Sequence, residues 1–253
     1  MCVCVYVRIC VCMYVCFLLS KEVHCILTGL TPIAIKIEKA YQFYHLTKGS
    51  SEVEALVDGM EVRYWHHPAE TINFLTENKE ETNTIHVFTD GSKSEQGVGT
   101  GVAIFRSGKH IISLKYRLNK RCTNNQAEQL AIVRALDYTE NLQTQNKTAT
   151  IYTVIRMTLE SLENSNIHTF LFEEIRKKLT EIRKTNWKIQ SSWVKAHVRI
   201  QGNELAETLA KEAATNVDVK ESYKKVPKSV VISELGEISV EKWQRELELT
   251  RKG

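Results

Sequence analysis

TIHVFTDGSKSEQGVGTGVAIFRSGKHIISLKYRL, residues 84–118, decides the fold. IHVFTD is a short apolar run that ends in a carboxylate at Asp90, as a buried strand does. GVGTGVAIF is glycine-rich and then β-forming, and HIISLKYRL alternates apolar with polar side chains. Only Gly108 and its neighbours part these last two runs, so they predict a hairpin. TNNQAEQLAIVRALDYTENL follows, with Ala127, Leu130, Ala131, Val133, Ala135 and Leu136 at helical spacing behind a cap at Thr123 or Asn124. ATIYTV reads as a strand, MTLESLEN and TFLFEEIRKKLTEIRKT as helices, WKIQSSWVKAH as the last strand and QGNELAETLAKEAA as the last clear helix. Three strands, a helix, a strand, helices, a strand and a helix make a mixed α/β layered fold.

Upstream, LTGLTPIAIKIEKAYQFYHLTKG reads as a capped helix. Thr31 is its N-cap, Pro32 suits its first position, and Ile33, Ile37, Ala40, Tyr41 and Tyr44 form a stripe ended by Gly49. His66-His67 before Pro68 reads as a turn leading to a short helix, because no further ligand lies at metal spacing. Residues 77–83, ENKEETN, read as a linker. Beyond Asn216 the chain is charged, and VEKWQRELEL predicts one amphipathic helix.

MCVCVYVRICVCMYVCFLL, residues 1–19, alternates Cys with Val, Tyr or Met. As a secretory signal it lacks the charged start, and as a membrane anchor it is short and interrupted by Arg8. A folded strand is a third reading. A fourth, which we favour, is an open reading frame through a (TG)n repeat, since such a repeat encodes Cys-Val. The sequence thus predicts an intracellular protein, nuclear or cytoplasmic, monomeric and without membrane attachment.

The chain has 253 residues, 43% of them hydrophobic and 25% charged, which describes a globular protein with a core. A net charge of +4 permits a polyanionic partner without requiring one. Basic residues cluster at Lys115, Arg117, Lys120 and Arg121, and again at Arg176, Lys177, Lys178, Arg183, Lys184 and Lys188; a solvated face is the simpler reading. Five of the seven cysteines lie in the first sixteen residues, and there is no Cys-x-x-Cys pair, so the body has neither a zinc site nor a disulfide framework.

The acids carry the chemistry. Asp90 ends a strand, Glu128 stands one turn into a helix, and Glu207 lies in the first turns of the last helix, after His197. Strand ends and helix starts meet at one edge of such a sheet. Clustered carboxylates repel unless cations neutralise them, and oxygen ligands without thiolates favour Mg²⁺ or Mn²⁺. A pair of such ions supports in-line attack on a phosphodiester.

The series FTDGS, TNNQAE, IYT and WVKAHVRIQGNELA resembles the ribonuclease H domain, in the form carried by insect non-LTR retrotransposon polyproteins. The resemblance runs from about Thr84 to Ala214 with the motifs in order. It implies a ribonuclease H-like three-layer α/β fold, whose five-stranded mixed sheet (three antiparallel strands, then two parallel) is flanked by helices. Residues 1–19 would be the repeat, 20–83 a connector remnant, 84–216 the ribonuclease H domain and 217–253 a charged tail; no reverse transcriptase signature is present.

The implied activity is endonucleolytic hydrolysis of the RNA strand of an RNA–DNA hybrid with two Mg²⁺ ions, or Mn²⁺, and no small-molecule cofactor. Asp90 would bridge the two ions, Glu128 would hold one and Glu207 the other, and His197 would assist departure. Gly91, Ser92, Thr123, Asn124, Asn125, Gln126 and Asn203 would contact the substrate, some of them reading 2′-hydroxyls.

Three departures from the family pattern stand out. Val154-Ile155 occupies the place of an aspartate followed by Ser or Thr, and valine has no oxygen for a metal. Glu207 replaces an aspartate, and Arg199 a loop glycine. Activity is therefore expected to be impaired. A catalytically inactive hybrid-binding domain is one alternative, and a membrane-tethered or secreted interaction protein is another.

Overall fold

The computed structural model describes residues 31–48, 84–164, 167, 169–195 and 200–250. The chain divides into two compact units, Gly59–Pro227 and the pairing of Met1–Asp58 with Lys228–Gly253.

In the larger unit the quoted stretch forms β1 (Ile85–Lys93), β2 (Val98–Arg106) and β3 (Lys109–Leu118). They are joined to α2 (Asn124–Glu140), β4 (Thr148–Thr153), α3 (Arg156–Glu163), α4 (Phe170–Lys184), β5 (Lys188–Trp193), α5 (Gln201–Thr215) and β6 (Glu221–Tyr223). The helix α1 (Ile33–Lys48) precedes them and α6 (Lys228–Thr250) follows, both in the smaller unit.

The strands form one sheet in the order β5-β4-β1-β2-β3-β6. β1, β2 and β3 are antiparallel neighbours, whereas β4 and β5 add in parallel beside β1. Among the described residues the sheet therefore has six strands, not five. The sixth, parallel to β3, pairs only through Arg117↔Glu221 and Leu118↔Tyr223. Three residues in a charged stretch carry no legible alternation, yet Tyr223 is buried against the main core. The β2–β3 hairpin turns at Ser107 and Gly108, both with positive φ, as a two-residue connection requires.

Alternation of side chains divides the sheet's surroundings. Ile85 and Val87 of β1, Ile104 of β2 and Ile151 of β4 pack in one cluster with Leu130, Ile132 and Leu136 of α2 and Leu171, Ile175, Leu179 and Ile182 of α4. Burying each such side chain stabilises by about 1.5–3 kcal/mol. The opposite face is thinner: Ala103, Phe105 and Phe88 meet Ala206, Leu209 and Leu205 of α5.

What lets α5 lie so close is the absence of side chains on β2. A Cβ on Gly101 would stand 2.1 Å from the Ala206 carbonyl oxygen, and one on Gly99 would stand 2.3 Å from the Ala214 nitrogen. Two glycines on one face of β2 thus oppose the alanine face of α5 (Ala206, Ala210, Ala213 and Ala214), and backbone meets backbone.

Part of the basic run on α4 is used inside the fold, although Lys177, Arg183 and Lys184 are exposed. Arg176 is half-buried and donates to the carbonyls of Ser161 (3.0 Å), Leu162 (3.3 Å), Asn164 (2.9 Å) and Ile167 (2.7 Å), and to Glu173 Oε1 at 2.6 Å. Lys178 pairs with Asp137, and Lys177 with Glu181 at 3.9 Å.

In the smaller unit α1 begins after Pro32, whose carbonyl accepts from Ile35 N and Lys36 N, both at 3.1 Å. The expected apolar stripe is turned largely to solvent: Ile33, Ile37, Tyr41 and Tyr44 are all more than half exposed, whereas Ile35 is buried. α6 packs beside α1 and is joined to it by Lys242 Nζ to Glu38 Oε2 at 2.6 Å. It is more than twice as long as the predicted amphipathic segment. The connector segment at 49–83 and the N-terminal repeat lie outside the described residues.

Candidate functional site

β1 is longer than its apolar run. Antiparallel pairing with β2 continues through Lys93↔Val98, whereas parallel pairing with β4 stops at Thr89↔Thr153. Asp90 is therefore inside a strand rather than at its end, at the first position where β1 outruns β4. Lys93 Nζ donates to the Cys122 carbonyl at 2.8 Å and ties this overhang to the segment before α2.

Residues 86, 88 and 90 of β1 share the α5 face; Phe88 lies against Gly202 of α5, where a Cβ would come within 2.2 Å of its ring. α2 lies on the other face. Glu128 reaches Asp90 by passing over Gly91, whose missing side chain makes the room. A Cβ there would stand 2.7 Å from Glu128 N and 3.0 Å from Glu128 Cγ. The start of α2 is fixed by a capping box, in which Gln126 N donates to Thr123 Oγ1 at 3.2 Å and Thr123 N donates to Gln126 Oε1 at 3.1 Å.

The two carboxyl groups are a bonded pair. Asp90 is 8% exposed and Glu128 1%. Burial raises both carboxyl pKa values; for Asp90, the hydrogen bonds from Glu128 and from Gly91 N (2.9 Å to Oδ1) partly offset it. Glu128 rises well above the ordinary carboxylate value, through burial first and then the neighbouring Asp90 charge. The pair thus favours holding a proton, with the stronger push at Glu128. Glu128 Oε2 remains buried with no hydrogen-bond partner. A buried orphan oxygen beside a second carboxylate suits a hard cation, which would take the place of the proton and satisfy both groups.

Glu207 is less committed to this pair. It is on α5 and its charge acts on Asp90. One of its oxygens, however, accepts from Lys211 Nζ at 2.6 Å, one helical turn on. Among the described residues no three of His, Cys, Asp and Glu come together as a ready metal cage. Asp90 and Glu128 fit a cation, and the third carboxylate stands apart with its lysine. Lys211 had no role in the sequence reading, although an acid four residues before a lysine is the spacing that pairs on a helix.

Val154 stands one residue beyond Thr153, the partner of Thr89, and so is level with Asp90 across the β1–β4 pair. It is half-buried, and its carbonyl accepts from Trp193 Nε1 at 3.0 Å. Glu160 cannot stand in for the missing acid; it is exposed and paired with Arg156 at 2.9 Å.

The expected substrate contacts divide. Asn125 is exposed at the start of α2, and Thr123, Asn124, Gly91 and Ser92 are half-buried nearby in sequence and structure. Gln126, expected beside them, is buried: its oxygen is used in the capping box and its Nε2 donates to the Lys225 carbonyl at 3.0 Å. It serves the helix start. Asn203 is buried on α5, and its Oδ1 has no hydrogen-bond partner. His197 and Arg199 lie outside the described residues.

Several solved structures are similar to the chain. The chain is similar to the RNase H1 of the halophilic archaeon Halobacterium salinarum, with 20% identity over 51% of this chain and 96% of that one, at a TM-score of 0.41. It is similar to LC11-RNase H1, isolated from compost and solved with an RNA/DNA hybrid, with 18% identity over 51% of this chain and 99% of that one, at 0.40. It also resembles the protease–reverse transcriptase of prototype foamy virus, with 18% identity over 57% of this chain and 23% of that one, at 0.45. No curated protein matches. The profile of the RNase H family, however, matches residues 82–215, and with more than half of its length so accounted for, the chain belongs to the RNase H family.

Proposed function

We propose that the larger unit is a hybrid ribonuclease that binds RNA–DNA duplexes and hydrolyses their RNA strand slowly. The observation that carries this reading is the buried Asp90–Glu128 pair with its orphan Oε2, set at the overhang of β1 in a domain of this family. The family generally uses divalent metals. In this chain Asp90 and Glu128 would hold such an ion, while Glu207, bonded to Lys211 on α5, faces the site without being one of its first ligands. The ion, when bound, supplies Lewis-acid polarisation of a phosphate oxygen and an acidified water.

The chain's own residues supply the rest. Glu128 gives up its proton to become a ligand, and Asp90, already aimed by Gly91 N, needs no reorientation. Asn125, with Thr123 and Asn124, offers amide and hydroxyl groups at the start of α2 to sugar edges, where a 2′-hydroxyl distinguishes RNA from DNA. Water would attack the phosphorus and the 3′-oxygen would leave, which gives 5′-phosphate and 3′-hydroxyl ends. Val154 contributes no oxygen at the place level with Asp90, and this is the reason for slow turnover.

A hybrid-binding domain without turnover is the second reading, and the same valine favours it. The motif series and the segments at 20–83 support descent from a non-LTR retrotransposon. The test is cleavage of an end-labelled RNA–DNA hybrid by the full chain in Mg²⁺ and in Mn²⁺, beside Val154→Asp. The expected result is salt-sensitive binding, weak cleavage, and a gain of about 10²-fold in the variant, as a repaired positioning defect gives. Absence of both hybrid binding at low salt and cleavage, in both proteins, overturns the proposal.

A further inference from the structure

We propose that Lys211 is a positioning residue that holds Glu207 apart from the Asp90–Glu128 pair, so that this site takes one divalent cation instead of two. The inference deepens the reading above and rests on it. Glu128, 1% exposed and with Oε2 unpartnered, marks where a cation is wanted. The charge on the α5 side is met differently. Lys211 Nζ lies 2.6 Å from Glu207 Oε1 and shares a helix face with it at i,i+4.

The ammonium of Lys211 and the carboxylate of Glu207 both exert their charge on Asp90 from α5. One fixed positive charge thus faces the two carboxylates, Asp90 and Glu207, that would have to share a second ion. A divalent ion entering there would have to displace the lysine and tolerate it close by, and Val154 offers no oxygen in compensation. Glu207, one methylene longer than the aspartate it replaces, can bend toward Lys211 along its own helix. The consequence is a division of labour: a cation at Asp90–Glu128 and an ammonium at Glu207.

The experiment counts bound ions on the full chain, by electron paramagnetic resonance of free Mn²⁺ and by titration calorimetry. Each count is made alone and with an uncleavable hybrid carrying 2′-O-methyl RNA. One Mn²⁺ per chain is expected, with and without hybrid. Lys211→Met should admit a second ion, and Lys211→Arg should keep the count at one. Glu207→Gln should leave the count at one and change its Kd by less than about threefold, since a factor of three is under 1 kcal/mol.

Lys211 is largely exposed, so its variants should fold, and circular dichroism checks this. Two ions in the parent chain, or one ion in Lys211→Met, overturns the role given to Lys211 while leaving the cation site standing. No bound Mn²⁺ in the parent or in Val154→Asp removes the cation reading itself, and the inference with it.

Discussion

Gly101→Ala tests how the site is assembled. The new Cβ would stand 2.1 Å from the Ala206 carbonyl oxygen, 2.7 Å from Ala210 N and 2.9 Å from Leu209 Cβ. Two of these are backbone atoms of α5, which no rotamer change can move. Restoring the shortest ordinary contact, 3.4 Å, requires α5 to withdraw by about 1.3 Å at this point. Overpacking of this kind costs about 1–3 kcal/mol, and contact with backbone places it at the upper end. Replacing a strand glycine returns about 0.5–1 kcal/mol of backbone entropy. The net expectation is a loss of about 2 kcal/mol.

In urea this shifts the midpoint by about 1 M for a slope of about 2 kcal/mol/M. The withdrawal also carries Glu207 and Lys211 away from Asp90, and misplacement by about 1 Å at a catalytic site costs about 10²-fold. Gly108→Ala is the control: nothing lies within 4 Å of its Cβ, and only its positive φ resists the change, at about 1–2 kcal/mol. It should lower stability without altering hybrid cleavage. A Gly101→Ala protein within about 0.5 kcal/mol of the parent would refute the idea that backbone-to-backbone packing seats α5.

Glu128→Gln should change how stability depends on pH in the metal-free protein. The folded-state pKa of Glu128 lies above its ordinary value of 4.5, so its share of stability is complete below that value and is lost as pH rises through the raised one. The parent should therefore lose thermal stability relative to Glu128→Gln on going from pH 4 to pH 8 in EDTA, and a constant difference would sink the assignment. Arg176→Met should cost about 3–5 kcal/mol in urea unfolding, because it takes the guanidinium from the buried Glu173 carboxylate and from four carbonyls; a cost below about 1 kcal/mol would mean that water replaces the guanidinium. Hybrid binding should weaken with salt with a slope of the logarithm of affinity between about −1 and −5, since Arg176 and Lys178 pair within the fold and leave few α4 cations for phosphates; a steeper slope would point to five or more phosphate contacts.

Most of the sheet was legible because its strands are apolar runs bounded by glycine, and α2 because its apolar residues recur at helical spacing behind Thr123. What escaped was set by tertiary contact. β6 is three residues whose only strong local sign is Tyr223, and its pairing with β3 depends on where the chain returns. The stripe on α1 has the right spacing, but packing uses Ile35, and periodicity names no partner. Asp90 looked terminal because its apolar run stops there, whereas pairing with β2 needs no apolar side chains and runs on to Lys93. Gln126 carries a polar side chain into a buried place because the helix start needs it. Gly99 and Gly101 read only as the glycine-rich start of a β-forming run; their meaning appears only when the alanine face of α5 is laid against them.

Val154 separates a lost ligand from a lost structure. The backbone around it is held as an acid would need: Thr153 pairs with Thr89, and Trp193 Nε1 fixes the Val154 carbonyl. The defect is therefore confined to a side chain, and restoring an aspartate should have opposite effects with and without a cation. In EDTA a third carboxylate beside Asp90 and Glu128 adds repulsion in a half-buried place, so Val154→Asp should be less stable than the parent. With Mn²⁺ the new oxygen tightens binding, and each tenfold gain in affinity adds about 1.4 kcal/mol of stability once the ion is in excess of Kd. The difference between the two proteins should thus shrink or reverse as Mn²⁺ is added, read as thermal midpoints over a metal titration. Equal destabilisation at every Mn²⁺ concentration would mean that position 154 does not face the cation, and the valine would then explain nothing about turnover.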